Sequence, residues 1–130
     1  LCGVRVYSIS DAHCTVRAKH RWFNQNPFKS MYFAVQNMGA ELTTGVLVIK
    51  AIRESNKKVS MLVLNQKSKF TKKATGVITF KCEDGLMIRE KVNEALLTNQ
   101  GLSFWVRSEG YDEQGDKVGT YDFEWTLKAK

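Results

Sequence analysis

The sequence holds one proline, Pro27, and only three cysteines and two histidines in 130 residues. Cys2, Cys14 and Cys82 are odd in number, and no pair has metal-ligand spacing. With His13 and His20 the only imidazoles, a zinc site is not expected. Buried free thiols in a reducing, cytoplasmic compartment account for the cysteines. No apolar run reaches the roughly 20 residues that a membrane span needs. No targeting segment is visible. Glycine-rich phosphate loops, serine or cysteine nucleophile motifs, repeats and low-complexity stretches are all missing.

What is present is ordinary globular material: 43% hydrophobic and 25% charged residues. The length suits one domain spanning residues 1–130, large enough to bury a core without staples. The net charge of +7 is the outlying property. Such a surplus suits nucleic acid, anionic lipid or a small phosphorylated ligand, or serves solubility alone. Composition does not choose among these.

Alternating residues at 3–8 and 13–19 read as two strands around a turn at Ser10-Asp11-Ala12. A loop from His20 to Ser30 holds Pro27, and Ser30 is the expected N-cap of a helix. From Met31 to about Glu54 the chain reads as one long helix, apolar on most of its circumference and therefore buried. Strands are expected at about 58–70 and 75–82, with Lys67, Lys69, Lys72 and Lys73 forming a basic run. A second, amphipathic helix spans Leu86 to Asn99, with Asp84 as cap and Gly101 as its left-handed stop. Phe104 to Ser108 forms a strand. Tyr121, Phe123, Trp125 and Leu127, alternating with polar residues, form the last, after a turn at residues 112–116. The order β-β-α-β-β-α-β-β is α+β: a long central helix wrapped by a curved antiparallel sheet of about six strands.

Within the long helix, Asn37, Glu41 and Thr44 share a face. A carboxylate in an apolar helix must be paired, solvated or raised in pKa, and a raised pKa suits a general base or a nucleophile. The alternative is a wet stripe with no chemistry. The first-turn amides of Phe33 and Ala34, with the helix dipole behind them, favour a developing oxyanion. Tyr32 offers a hydroxyl there, or is simply a core aromatic. The basic run lacks the interleaved aromatics of single-strand binders, so no nucleic-acid partner is expected.

The order of elements, and the segment Asn26 to Gly45, resemble the hotdog-fold thioesterases of the phenylacetate-pathway type. In that family a loop Asn-Pro-Phe leads to His-Gly-Gly and then to an Asp or Glu in the helix. Here Asn26-Pro27-Phe28 stands in the loop, Tyr32-Phe33-Ala34 stands in place of His-Gly-Gly, and Glu41 falls on the helix carboxylate. The remainder is similar to an uncharacterised hotdog group. The resemblance implies hydrolysis of an acyl-CoA or other acyl thioester. In it Glu41 acts as base or nucleophile, and Asn26, with Asn24 as competitor, orients water or the thioester. Phe33, Ala34, Tyr32 and Asn37 line the oxyanion and substrate site. Lys67, Lys69, Lys72 and Lys73 meet the phosphates of coenzyme A, which enters only as part of the substrate; no separate cofactor is implied. The resemblance also implies a homodimer or dimer of dimers, with sites between subunits and an apolar acyl tunnel beside the helix. Loss of His-Gly-Gly points to the alternative, a non-catalytic acyl or acyl-CoA binding protein on the same fold.

Overall fold

A helix of 23 residues, α1 (Phe33–Ser55), dominates the computed structural model, which describes residues 4–19, 31 and 33–130. At 1.5 Å per residue it is about 35 Å long. Two strands precede it, β1 (Val4–Ile9) and β2 (Cys14–Lys19). After it come β3 (Val59–Phe70), β4 (Val77–Cys82), a second helix α2 (Gly85–Thr98), β5 (Leu102–Tyr111) and β6 (Lys117–Ala129). The strands form one antiparallel sheet in the order β1-β2-β4-β5-β6-β3. This is the architecture expected from the sequence, with ends displaced by up to four residues. No helix among the described residues is long and apolar enough to cross a membrane.

The pleat gives the sheet two unlike faces. Val16, Ile78, Phe80, Val106, Tyr121, Phe123, Trp125 and Leu127 point inward and are almost wholly buried against α1. Their polar neighbours along each strand point outward. Bulges at Val6/Ser8 and Val63/Asn65 shift the register of the two edge strands. The expectation of a helix buried all round does not hold. Met38 and Ile49 of α1 are 47% and 40% exposed, because the sheet covers only one side.

α1 sits close to the sheet. A Cβ built on Gly39 would lie 2.6 Å from the Phe80 ring. Three buried side-chain bonds fix the helix against β5 and β6. Tyr121 donates to Gln36 Oε1 (2.6 Å), Thr43 bonds Ser108 (2.8 Å), and the Trp125 indole donates to Thr44 Oγ1 (3.0 Å). Every buried side-chain nitrogen or oxygen among the described residues has a partner. The second helix begins where Gly85 donates to the Ala12 carbonyl (3.0 Å). Two sequence expectations fail at its ends. Asp84 occupies the cap position but makes no capping bond; its carboxylate instead accepts the Arg107 amide (3.0 Å). The left-handed stop is Asn99 (φ 56°), not Gly101; Asn tolerates that conformation, and its amide returns to the Ala95 carbonyl (3.1 Å). An ionic knot closes the far end of α1: Lys50 and Arg89 each bridge Asp11 and Glu54, tying the β1–β2 turn to both helices.

Cys14 and Cys82 are register partners on β2 and β4, both unbridged and buried. Burial pushes their thiols up to about 11 and about 12. Unfolded thiols ionise near 9, so the unfolded chain loses protons first, and these two groups weaken the fold as pH rises past 9. In a Cys2→Ser background at pH 8, Ellman's reagent should find no fast-reacting thiol in the folded protein and two after denaturation. Gly39→Ala gains about 1 kcal/mol of helix propensity but overpacks Phe80 at a cost of about 1–3 kcal/mol. A net loss on the order of 1 kcal/mol is expected in urea denaturation; an unchanged or raised midpoint would show that α1 is not seated on that ring.

Candidate active site

The N-terminal turns of α1 lie against the last residues of β3 and the turn beyond it. Met31 donates to the Ala74 carbonyl (2.8 Å), holding the start of the helix to the β3–β4 connection. Gln36 secures it from inside, accepting from Tyr121 and donating to the Met31 carbonyl (3.3 Å). Burial holds the Tyr121 hydroxyl protonated by raising its pKa well above the usual range. The first amides of α1, those of Phe33 and Ala34, have no carbonyl to bond within the helix.

One turn on, Asn37 meets β3. Its Oδ1 accepts from Ser68 Oγ (2.6 Å) and from Gln66 Nε2 (3.0 Å), and Gln66 also touches Ser68. Sequence reading found Asn37 but missed Gln66 and Ser68. The signal was there: they sit at i and i+2 of a strand, so they face the same side as Phe70. Glu41 stands one turn beyond Asn37 on the exposed side of the helix. Its carboxylate has no hydrogen-bond or ion-pair partner among the described residues. Of the alternatives for a carboxylate on this helix, solvation is the one observed. Thr44, expected on the same face, is turned inward; it donates to the Glu41 carbonyl (2.8 Å) and accepts from Trp125.

An aromatic ladder runs inward from the helix start. Phe33 packs edge-on against Phe70 (6.5 Å), Phe70 against Tyr121 (6.1 Å), and Tyr121 against Phe80 (5.6 Å). Phe33 and Phe70 remain 64% and 46% exposed, so an apolar patch borders the polar cluster.

The four lysines do not gather there. The pleat sends Lys67 and Lys69 to the outer face, with Lys67 over the Trp105 ring (4.4 Å). Lys72 binds Asp112 (2.7 Å) and Asp116 (2.8 Å), and Lys73 follows it in the connection. Asn24, Asn26 and Tyr32 lie outside the described residues, as do Ser30 and Pro27. A groove of about 760 Å³ lies on the outer face of the sheet rather than beside Glu41.

Residues 2–127 match the family described as "Domain of unknown function (DUF4442)". Comparison with curated proteins finds no match. Among solved structures, a Pseudomonas aeruginosa protein described as of unknown function and a probable thioesterase superposes with a TM-score of 0.86 at 23% identity. The match covers 99% of this chain and 85% of that one. A Chlorobaculum tepidum protein of unknown function gives 0.85 at 12% identity, over 99% and 84%. A thioesterase enzyme from Staphylococcus aureus gives 0.75 at 10%, over 98% and 94%. These likenesses establish the hotdog fold.

Tyr121→Phe keeps the ring but orphans Gln36 Oε1, a loss of about 1–3 kcal/mol. Chemical denaturation should show it, and hydrogen exchange should show the largest loss of protection in the first two turns of α1. A neutral substitution would mean that Gln36 finds another donor.

Proposed function

The chain belongs to the DUF4442 family, and from its site we propose an acyl-thioester hydrolase of hotdog type, acting on acyl-CoA. One observation carries this reading: a solvated, unpaired carboxylate, Glu41, one turn from the Asn37–Ser68–Gln66 cluster and two turns from the first amides of α1. A carboxylate so placed can activate water or attack a thioester carbonyl, while amides at a helix start stabilise the oxyanion that develops. Neighbours described as thioesterases support the reaction class.

Asn26 keeps the role the resemblance gives it, orienting water or the thioester, with Asn24 as competitor and Tyr32 as a neighbouring donor. Coenzyme A enters as part of the substrate. Lys72 and Lys73, in the β3–β4 connection, are its candidate phosphate contacts, since Lys67 and Lys69 turn to the outer face away from Glu41. Lys72 is the weaker of the two, since two carboxylates already hold it. The reading includes a homodimer. Support comes from β3, a 12-residue edge strand paired on one side only, with Leu62 and Leu64 exposed. Unpaired strand edges invite such pairing. The exposed Met38 and Ile49 give α1 a second apolar contact. A reducing, cytoplasmic setting accords with the unbridged Cys14 and Cys82.

A second reading rests on Phe33. Its exposed ring beside Phe70 stands where the resembled family has glycine, and it narrows the approach to the amides. A non-catalytic acyl or acyl-CoA binding protein would tolerate that crowding.

The test is hydrolysis across a panel of acyl-CoA chain lengths, with Glu41→Gln alongside. Loss of a positioned base should lower kcat by about 10²–10⁴-fold with the melting temperature unchanged. If no thioester is cleaved yet acyl-CoA raises the melting temperature, the binding reading replaces the enzyme. If neither happens, both fall.

A further inference from the structure

The outward surface of β1, β2 and β4 is basic. Outward positions of the three adjacent strands β1, β2 and β4 carry Arg5, Arg17, Lys19 and Lys81 and no carboxylate. Lys67 and Lys69 stand apart from this patch on β3, the opposite edge of the sheet, with β5 and β6 and their Glu109, Asp122 and Glu124 in between. Arg5, Arg17, Lys67, Lys69 and Lys81 have no carboxylate partner among the described residues, whereas the outward Arg107 and Lys117 are neutralised by Asp122 and Glu109.

Aromatic rings stand among these cations. Arg17 lies over Tyr7 (3.4 Å), Lys81 over Tyr111 (5.9 Å) and Lys67 over Trp105 (4.4 Å). Tyr7 is 60% exposed and Trp105 39%. The interleaving of base and ring that the sequence run lacks is produced across strands by the pleat. Tyr7 and Tyr111 line the 760 Å³ groove together with Thr15, Arg17, Thr79 and Lys81. Three strand spacings separate the two rings, about 14 Å at 4.8 Å each. Five carboxylates also line the groove: Glu109 and Asp112 are ion-paired with Lys117 and Lys72, Asp84 and Glu113 accept only from the neutral Arg107 and Val77 amides (3.0 and 2.8 Å), and Glu83 has no cation partner among the described residues. Glu83 and Glu113 would oppose a flat anionic bilayer, but a narrow chain can lie between them along Arg17 and Lys81.

We propose that this outer face binds single-stranded nucleic acid, with Arg17 and Lys81 on phosphates and Tyr7 and Tyr111 stacking on bases. A groove that tracks the backbone beside sequence-tolerant stacking platforms is how such strands are held. The site is on the opposite side of the sheet from Glu41 and does not depend on the hydrolase reading.

Fluorescence anisotropy with labelled oligo(U) and oligo(dT) of about 12 nucleotides tests it, a length within the range single binding modules cover. Two phosphate contacts, from Arg17 and Lys81, predict that affinity falls about sevenfold between about 50 and 200 mM salt. The Arg17→Glu/Lys81→Glu double variant should bind at least about tenfold more weakly. Tyr7→Leu should weaken binding with the salt slope unchanged, and it covers the case in which charge reversal unfolds the protein. Thioester turnover should be unaltered in both. Absence of binding at low salt, or equal binding by the variants, overturns the proposal. So does capture by phosphatidylserine vesicles without oligonucleotide binding, which makes the face a membrane surface. A change of oligomer size in the variants without oligonucleotide binding overturns it too, making the face a contact between copies.

Discussion

The seat of Gly39 on Phe80 is the constraint on which the other geometry depends. A side chain at position 39 would press on the Phe80 ring and strain the three polar crosslinks from Gln36, Thr43 and Thr44 to Tyr121, Ser108 and Trp125. Gly110 lies under the same ring, with its would-be Cβ 3.1 Å from Phe80. The ring is thus gripped by backbone on both sides, and Tyr121 meets it edge-on. Close packing of this kind leaves the helix one depth and one rotation.

That rotation decides where chemistry can occur. With Gln36, Ala40, Thr43 and Leu47 fixed inward, residues two places away in sequence must turn outward, because successive residues are about 100° apart and two steps carry a side chain to the far side. Ala34, Met38, Glu41 and Ile49 are the result. Asn37 lies at the border and reaches β3. Glu41 owes its solvation to this rotation rather than to local sequence, since its neighbours Ala40 and Leu42 are apolar. A substitution at the Gly39–Phe80 contact would therefore disturb the site from a distance, by turning or lifting the helix that carries it.

The element order was legible because each signal was local: a two-residue alternation in the strands and a long apolar run in α1. Helix ends were less so. Asp84 and Gly101 were chosen on residue type, but tertiary demands reassigned both. The Arg107 amide on β5 took the Asp84 carboxylate, and chain reversal began two residues before the glycine, at Asn99. At the site, Glu41 and Asn37 could be named from one helix face. Gln66 and Ser68 showed their shared strand face by alternation, but not their meeting with Asn37, which spans about 30 residues of sequence.

The segment Gln66-Lys67-Ser68-Lys69 shows why a linear reading of charge misleads. Along the chain it is a basic run with two polar residues in it. In the sheet it is two separate surfaces: Gln66 and Ser68 join the helix cluster, while Lys67 joins Trp105 on the far side. Charge that looks local is thereby split from its polar neighbours and turned away from Glu41. With Lys67 and Lys69 on the outer face, the helix carboxylate has no lysine partner among the described residues, and an unpaired carboxylate is the form that a water-activating or nucleophilic role requires. The segregation of charge between the two faces is therefore as much a property of the inner site as of the outer one.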